Sequence, residues 1–150
     1  MLNLPENDLL NWRKFPAVEE SYEEIRDYIL DAAENYGVNA KNILRLELGV
    51  EEVVINVIHY AYEKDGNIFV KVSDDKENNQ FILDLVDFGK PFNPLKKVDP
   101  RSVDKSNLEE RKIGGFGIAF IKKKFAALEY NYENYNGKNA NHLTLAFKKG

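Results

Sequence analysis

The sequence predicts an α+β fold, a two-layer α/β sandwich in which helices cover one face of a mixed, largely antiparallel sheet. Two observations support this prediction. The elements follow the order strand, helix, helix, strand, strand, loop, helix, strand, strand, so helix and sheet occur in comparable amounts. They do not alternate strictly, as the strands and helices of a doubly wound parallel sheet would. The four later strands come in two pairs that are typical of antiparallel hairpins.

Length and composition favour one domain over residues 1–150. A chain of 150 residues with 43% hydrophobic side chains can bury one sizeable core. The formal net charge of -4 argues against a dedicated binder of nucleic acid or of an anionic membrane. With no cysteine and two histidines, any metal is expected to be a hard cation on oxygen ligands. We find no leader-like start and no run of about 18 apolar residues, so we expect a cytoplasmic protein.

The first half of the chain reads as an edge strand followed by two helices. The strand "LLNWRKFPA" ends at Pro16, because proline cannot continue a central ladder. The next segment has apolar residues at helical spacing and ends at Gly37. Those apolar residues are Val18, Tyr22, Ile25, Ile29 and Ala33. A second, longer helix begins at an Asn39 cap and ends before Asp65 and Gly66.

The second half of the chain reads as two hairpins separated by a long loop and a helix. "NIFVKVSDD" and "QFILDLVDFG" alternate apolar and polar residues around a polar turn. From Lys90 to Ile113 the chain loses periodicity and gains prolines and charges, and a loop of this length is usually functional. "GGFGIAFIKKKFAA" restarts a helix, and "LEYNYENYNGKNANHLTLAFKK" forms the second hairpin with its turn near "NGKN".

The second helix carries a polar pair within an apolar run. Glu52 and Asn56 are four residues apart and therefore share one face of the helix. A carboxylate and an amide oxygen together suit Mg²⁺, which completes its shell with water and substrate phosphate. A buried asparagine that only stabilises the fold explains the same pair, so this motif alone leaves both interpretations open.

A second motif, "LVDFGKPFNP", follows the strand that ends in Val86. Asp87 can accept a hydrogen bond from an amino group such as that of adenine, and Gly89 permits close backbone approach. Asp, Gly, Pro and Asn also dominate ordinary turns. The segment therefore fits a base-binding site and a simple turn equally well.

A third motif, "GGFGIAF", places glycines at the start of a predicted helix. Backbone amides at such a helix start favour phosphate. A dinucleotide-binding motif is excluded by context, because a long charged loop and not a strand precedes the glycines. A Walker phosphate loop is excluded as well, since no "GK[ST]" follows.

The three motifs together resemble the N, G1 and G2 boxes of the GHKL ATPase superfamily, which includes gyrase and the histidine kinases. The boxes would be Glu52 with Asn56, Asp87 with Gly89, and Gly115 with Gly117. Within this superfamily the chain is most similar to the bacterial anti-sigma regulatory factors, which are serine/threonine protein kinases. The resemblance covers nearly the whole chain and implies a Bergerat-type ATP-binding fold with ATP and Mg²⁺ as cofactors.

The resemblance assigns roles to the N box. Glu52 would be the general base that takes the proton of the attacking hydroxyl, and Asn56 would hold Mg²⁺. Glu51 lacks the four-residue spacing to Asn56 and is not the expected base. His59 is displaced by one position from the histidine of many relatives. We therefore expect it on the helix surface or in the core and not in catalysis.

The resemblance also implies a base pocket and a lid. Asp87 would receive the adenine amino group, Gly89 would shape the pocket floor, and Thr144 would lie near adenine. Gly115 and Gly117 would let the lid, at about residues 90–113, approach the phosphates. Candidate phosphate-facing cations of the lid are Lys105, Arg111 and Lys112.

The expected activity is phosphorylation of an anti-anti-sigma protein by an ATP- and Mg²⁺-dependent kinase that also binds a regulatory partner, with a sigma factor as a candidate. The alternative from another class is an ATP-gated binding module without kinase turnover. A histidine-kinase catalytic fragment is a third interpretation, which the absence of a preceding phospho-accepting helix disfavours. No direct nucleic-acid or membrane partner is expected, and a homodimer is an open alternative because many relatives are dimers.

Overall fold

The computed structural model describes residues 12–62, 65–91, 126–135 and 137–150. Five strands form one sheet in the order β1-β2-β3-β5-β4, and each neighbouring pair is antiparallel. The strands are β1 Arg13–Pro16, β2 Asn67–Asp75, β3 Gln80–Asp87, β4 Ala126–Tyr135 and β5 Lys138–Lys148. The α+β class and the two predicted hairpins are confirmed. A parallel pair, which a mixed sheet would need, is not found among these strands.

Two helices pack on one face of the sheet. Helix α1 spans Tyr22–Asn35 after a 3₁₀ turn at Glu19–Ser21, and α2 spans Ala40–Tyr60. Asn39 caps α2 as predicted, since its side-chain oxygen accepts a hydrogen bond from the backbone N–H of Asn42 at 2.8 Å. Gly37 follows α1 with a φ of +98°, a conformation that other residues rarely adopt. No helix in the described ranges is long and apolar enough to cross a membrane.

The main core lies between these helices and the sheet face that carries Leu83 and Leu145. Apolar residues on one side of each helix meet every second residue of the strands, as the two periodicities require. The largest fully buried side chains are Phe81, Phe147, Ile25, Ile29, Leu46, Ile68, Leu83, Leu145, Val50, Val53 and Val54. Val18 differs from its prediction. It precedes α1 and is 40% exposed.

The opposite face of the sheet carries a second, smaller cluster. Its buried apolar members are Trp12, Val86, Tyr135 and Ala140. The pairing register of β3 and β5 decides which polar residues join each face. Asp87 lies opposite Asn141, and Asp84 lies opposite Thr144. Because residues three apart on a strand point to opposite faces, these two polar pairs lie on opposite sides of the sheet.

The structure describes only part of the second half of the chain, for which the sequence predicts two hairpins, a lid and a helix. The predicted lid and most of the predicted helix that begins with Gly114 lie outside the described residues. The predicted end of that helix is wrong, because Ala126 and Ala127 already belong to β4.

Candidate functional site

A cavity lies between the second half of α2, the end of β3 and the first half of β5. Its walls are mostly apolar and come from Val53, Val57, Ala61, Leu85, Tyr130 and Leu143. Three polar side chains also line it, namely Asn56, Asp87 and Asn141. The cavity therefore combines apolar walls with three hydrogen-bonding side chains. It brings Asn56 of the first sequence motif together with Asp87 of the second, whereas Glu52 is not among its lining residues.

The polar pair of α2 is buried. Glu52 is 4% exposed and Asn56 is 5% exposed, whereas their neighbour Glu51 is exposed. Asn56 lines the cavity, and within the described parts of the chain no hydrogen-bond partner of its side chain is found. The amide is therefore available to hydrogen-bond a group that binds in the cavity.

Asp87 is held at the end of β3 by two donors to the same oxygen. The backbone N–H of Gly89 donates to Oδ1 at 3.0 Å, and Nδ2 of Asn141 donates to Oδ1 at 2.8 Å. Burial raises the pKa of the Asp87 carboxyl above its ordinary value, and the two hydrogen bonds oppose this rise. The carboxylate is thus oriented and largely desolvated, as suits an acceptor for one ligand N–H group.

Gly89 allows the turn after β3 to approach the end of α2. A Cβ atom at this position would lie 2.1 Å from the backbone oxygen of Ala61. The neighbouring Lys90 donates its backbone N–H to that same oxygen at 2.9 Å. Gly89 is therefore required for steric reasons, and the contact that it allows holds Asp87 against the cavity.

Tyr62 is a site-supporting residue that the sequence analysis missed. Its hydroxyl donates to the backbone oxygen of Asn67 and accepts from the backbone N–H of Phe88, both at 2.7 Å. Burial raises the pKa of this phenol. Gly66 leaves room for the ring, since a Cβ there would lie 2.3 Å from it. No local pattern in the sequence indicates these contacts.

The structure does not bring Thr144 to the cavity. Its hydroxyl donates to Oδ1 of Asp84 at 2.7 Å, on the sheet face that is opposite the helices. The residue of β5 that faces Asp87 is Asn141. The apolar alternation through Leu143 and Leu145 was the signal that places Thr144 on the other face.

The other predicted residues divide into two groups. Gly115 and Gly117 lie outside the described residues, as do the three lid cations Lys105, Arg111 and Lys112. His59 lies on the surface of α2, where its Nε2 is 3.1 Å from Oε1 of Glu19. It does not line the cavity.

A polar network occupies the sheet face opposite the cavity. The imidazole of His142 is 7% exposed and lies between the carboxylates of Asp84 and Glu133. The hydroxyl of Tyr135 donates to Oε2 of Glu133 at 2.7 Å. Burial alone would lower the pKa of His142, but the hydrogen bonds to the two carboxylates outweigh it, so the pKa is raised. This network joins β3, β4 and β5.

The side chains that line the cavity suit a cation that the protein and a bound ligand hold together, and not a metal ion that protein side chains hold alone. In the described part of the chain, no three His, Cys, Asp or Glu side chains converge on a point that would hold a metal ion. The side-chain oxygen of Asn56 is a ligand of the kind that fits a hard cation, and the bound nucleotide would supply further oxygens.

Comparison with known proteins agrees with the motifs and with the fold. A search of curated proteins finds no match to this chain. The family model of the histidine kinase-like ATPase domain matches residues 15–147, which run from β1 into the end of β5. The chain therefore belongs to the histidine kinase-like ATPase domain family, a membership that implies ATP binding.

Proposed function

We propose that this protein is an ATP- and Mg²⁺-dependent serine/threonine kinase that binds a regulatory partner and phosphorylates an anti-anti-sigma protein of the STAS type. The observation that carries the proposal is the shared cavity of Asn56 and Asp87, with Glu52 buried one turn before Asn56. A sigma factor as second partner, a homodimeric state and a cytoplasmic location belong to the same proposal.

We assign the apolar walls of the cavity to the adenine ring. Side chains such as Val57 and Leu143 offer a dry surface for a flat base, and Asp87 offers a carboxylate for its exocyclic amine. An oriented, buried acceptor selects a ligand that carries a donor, because a ligand without one would leave the buried acceptor without a hydrogen bond, at a cost in free energy. Adenine presents that donor.

Among the polar groups of the cavity, we assign Asn56 to the phosphate end of the nucleotide. The side-chain oxygen of Asn56 would hold Mg²⁺, and its lack of a partner in the described chain supports this role. When bound, Mg²⁺ neutralises the negative charge of the phosphates during transfer. Phosphoryl transfer depends mostly on such positioning and charge neutralisation, so the protein needs few reactive groups.

Glu52 is the proposed general base. It is buried on the same face of α2 as Asn56, one turn earlier, and we place its carboxylate beside the phosphate end of the nucleotide. A carboxylate in this place can accept the proton of a serine or threonine hydroxyl as the γ-phosphoryl group is transferred. Glu51, which is exposed, does not share this environment.

Two measurements test the proposal. Calorimetric titration with ATP and Mg²⁺ first establishes nucleotide binding, and Asp87→Asn is expected to weaken it. Transfer of labelled γ-phosphate to a purified STAS-type protein then tests kinase activity. Glu52→Gln should retain ATP binding and lose transfer by about 10²-fold or more, while the matched control Glu51→Gln should behave as the parent protein.

Each result has a defined meaning. A Glu52→Gln variant that transfers phosphate as fast as the parent protein shows that the base assignment is wrong. ATP binding without transfer to any STAS-type protein favours the nucleotide-gated binding module, in which ATP changes the partner surface without turnover.

A further inference from the structure

Asn141 connects the candidate adenine acceptor to two other parts of the site. Its side-chain NH₂ group donates to Oδ1 of Asp87 at 2.8 Å and to the backbone oxygen of Lys90 at 2.8 Å. Its side-chain oxygen accepts a hydrogen bond from the hydroxyl of Tyr130, which lies on β4. One amide thus joins the end of β3, the turn that follows it and the neighbouring strand pair.

These contacts fix the orientation of the amide. Both N–H groups of Asn141 point to acceptors, and the Tyr130 hydroxyl donates to the oxygen. A rotation by 180° would place the amide oxygen against the Asp87 carboxylate and the Lys90 carbonyl, which are acceptors only. The hydroxyl of Tyr130 would then lose its own acceptor. Asn141 is 4% exposed, so water cannot readily replace these bonds.

The fixed amide determines which oxygen of Asp87 a ligand meets. Both hydrogen bonds that Asp87 receives from the described residues, from Asn141 and Gly89, end on Oδ1. Oδ2 is thereby left for a ligand. The two donors also oppose protonation of the buried carboxyl, since they favour its charged form. An ionised carboxylate accepts an amino group but cannot donate to a carbonyl oxygen.

We propose that Asn141, oriented by Tyr130, is a positioning residue that makes the site select purines with a 6-amino group over purines with a 6-oxo group. The proposal rests on the proposed nucleotide-binding function and deepens it. Asn141 acts through Asp87, because its hydrogen bond favours the charged form of the carboxyl and leaves Oδ2 for the base. Tyr130 acts one step further away, through the amide of Asn141.

The selectivity is measured as the ratio of the dissociation constants for ITP and ATP, which differ at the 6-position of the base. Titrations in Mg²⁺ buffer compare the parent protein with Asn141→Ala and with the isosteric Asn141→Asp. The parent protein should prefer ATP, and the ratio should fall by roughly tenfold in either variant, because hydrogen bonds to charged groups contribute about that much. Tyr130→Phe removes one hydroxyl, keeps the ring in the cavity wall and should lower the ratio by a smaller factor.

A pH series adds a readout that a merely structural role would not change. Without the Asn141 donor, Asp87 should take up its proton at higher pH, so ATP binding by Asn141→Ala should weaken at higher pH than in the parent protein. Asn139→Ala is the matched control. Asn139 is an exposed residue of the same strand, and its bond to Asn134 at 3.3 Å lies away from the cavity.

The outcomes separate this inference from the proposed function. If the parent protein binds ATP but shows no preference over ITP, or if the ratio is unchanged in Asn141→Ala, Asn141→Asp and Tyr130→Phe, the positioning role is overturned and nucleotide binding stands. If the parent protein does not bind ATP, both proposals fail. Because Tyr130→Phe is conservative, it tests the role even where the Asn141 variants do not fold.

Discussion

Nε2 of His142 lies 2.8 Å from Oδ1 of Asp84, on the sheet face opposite the nucleotide cavity. On the other side of the ring, Nδ1 lies 3.2 Å from Oε2 of Glu133. Tyr135 and Thr144 add hydroxyl groups to the same network, and the ring of Trp12 packs edge-on at 5.8 Å between centroids. Protonation of this one buried imidazole therefore affects the side-chain contacts that hold three strands together.

Stability should fall as the pH rises through the raised pKa of His142. The pKa of His142 is raised in the folded protein above the ordinary value of 6.5. Its ion pairs therefore contribute fully below pH 6.5 and are lost as the pH rises through the raised pKa. His142→Gln should cost about 1.5 to 3 kcal/mol at the acid end of this window. It should also remove the pH dependence.

Urea denaturation of the parent protein and of His142→Gln at several pH values measures this effect. His59→Gln is the matched control, because His59 makes an exposed contact with Glu19 that is expected to contribute little. Equal pH profiles for the parent protein and His142→Gln would contradict the assignment.

Gly89→Ala should disrupt both the fold and nucleotide binding. The added Cβ would lie 2.1 Å from the backbone oxygen of Ala61, so the turn that carries Asp87 must move away from α2. We expect a loss of about 2 kcal/mol or more in the free energy of unfolding and a clear loss of ATP affinity. Thermal denaturation and ATP titration measure the two effects.

Gly37→Ala provides the matched control for Gly89→Ala. Gly37 has a φ of +98°, and a Cβ added there would meet no atom within 4 Å beyond its own chain neighbours, so the variant suffers backbone strain alone. It should lose about 1 to 2 kcal/mol of stability and keep its ATP affinity. Normal ATP affinity in Gly89→Ala would show that the close approach does not shape the site.

ATP affinity should weaken in acidic solution through Asp87. Burial raises the pKa of this carboxyl above 3.8, and protonation removes its ability to accept a hydrogen bond at both oxygens. Affinity should therefore fall as the pH decreases through the raised pKa. ATP titrations of the parent protein and of Asp87→Asn at several acid pH values isolate the contribution of Asp87, because protonation of ATP itself affects both proteins equally. If the ATP affinity of the two proteins changes with pH in the same way, the prediction is contradicted.

Tyr62→Phe should loosen the junction between α2 and the hairpin of β2 and β3. The variant removes the hydroxyl that joins the backbone of Asn67 and Phe88, and leaves a donor and an acceptor without their partner. We expect a loss of about 1 to 3 kcal/mol in stability, with faster amide exchange at Phe88. Tyr132→Phe, at a tyrosine that is 41% exposed, should change neither quantity. Unchanged exchange at Phe88 would disprove the role of the hydroxyl.

The helices and hairpins of the described chain could be predicted because their signals are local. The helical spacing of Ile25, Ile29 and Ala33 and the cap at Asn39 lie within a few residues of what they determine. The grouping of Asn56 with Asp87 required the resemblance to a known family, since no local pattern brings α2 to the end of β3. The structure then places both side chains on one cavity.

The position of Thr144 on the face opposite the cavity and the omission of Asn141 have one physical cause. Alternation along β5 shows which residues share a face, but the pairing with β3 depends on how two distant strands align. Only that register places Asn141 opposite Asp87. The contacts of Tyr62 are of the same kind, because they join backbone groups that lie 5 and 26 residues further along the chain.

The strand order determines when the site can exist. Although β5 follows β4 in the chain, it lies between β3 and β4, and Asn141 reaches Asp87 across 54 residues of sequence. A nascent chain that has emerged only as far as β4 has no strand to complete the β3 edge, and it lacks the amide that orients Asp87. Long-range pairings of this type form slowly because a large loop must close first. Nucleotide is therefore expected to act as a ligand of the finished fold and not as a template during its synthesis.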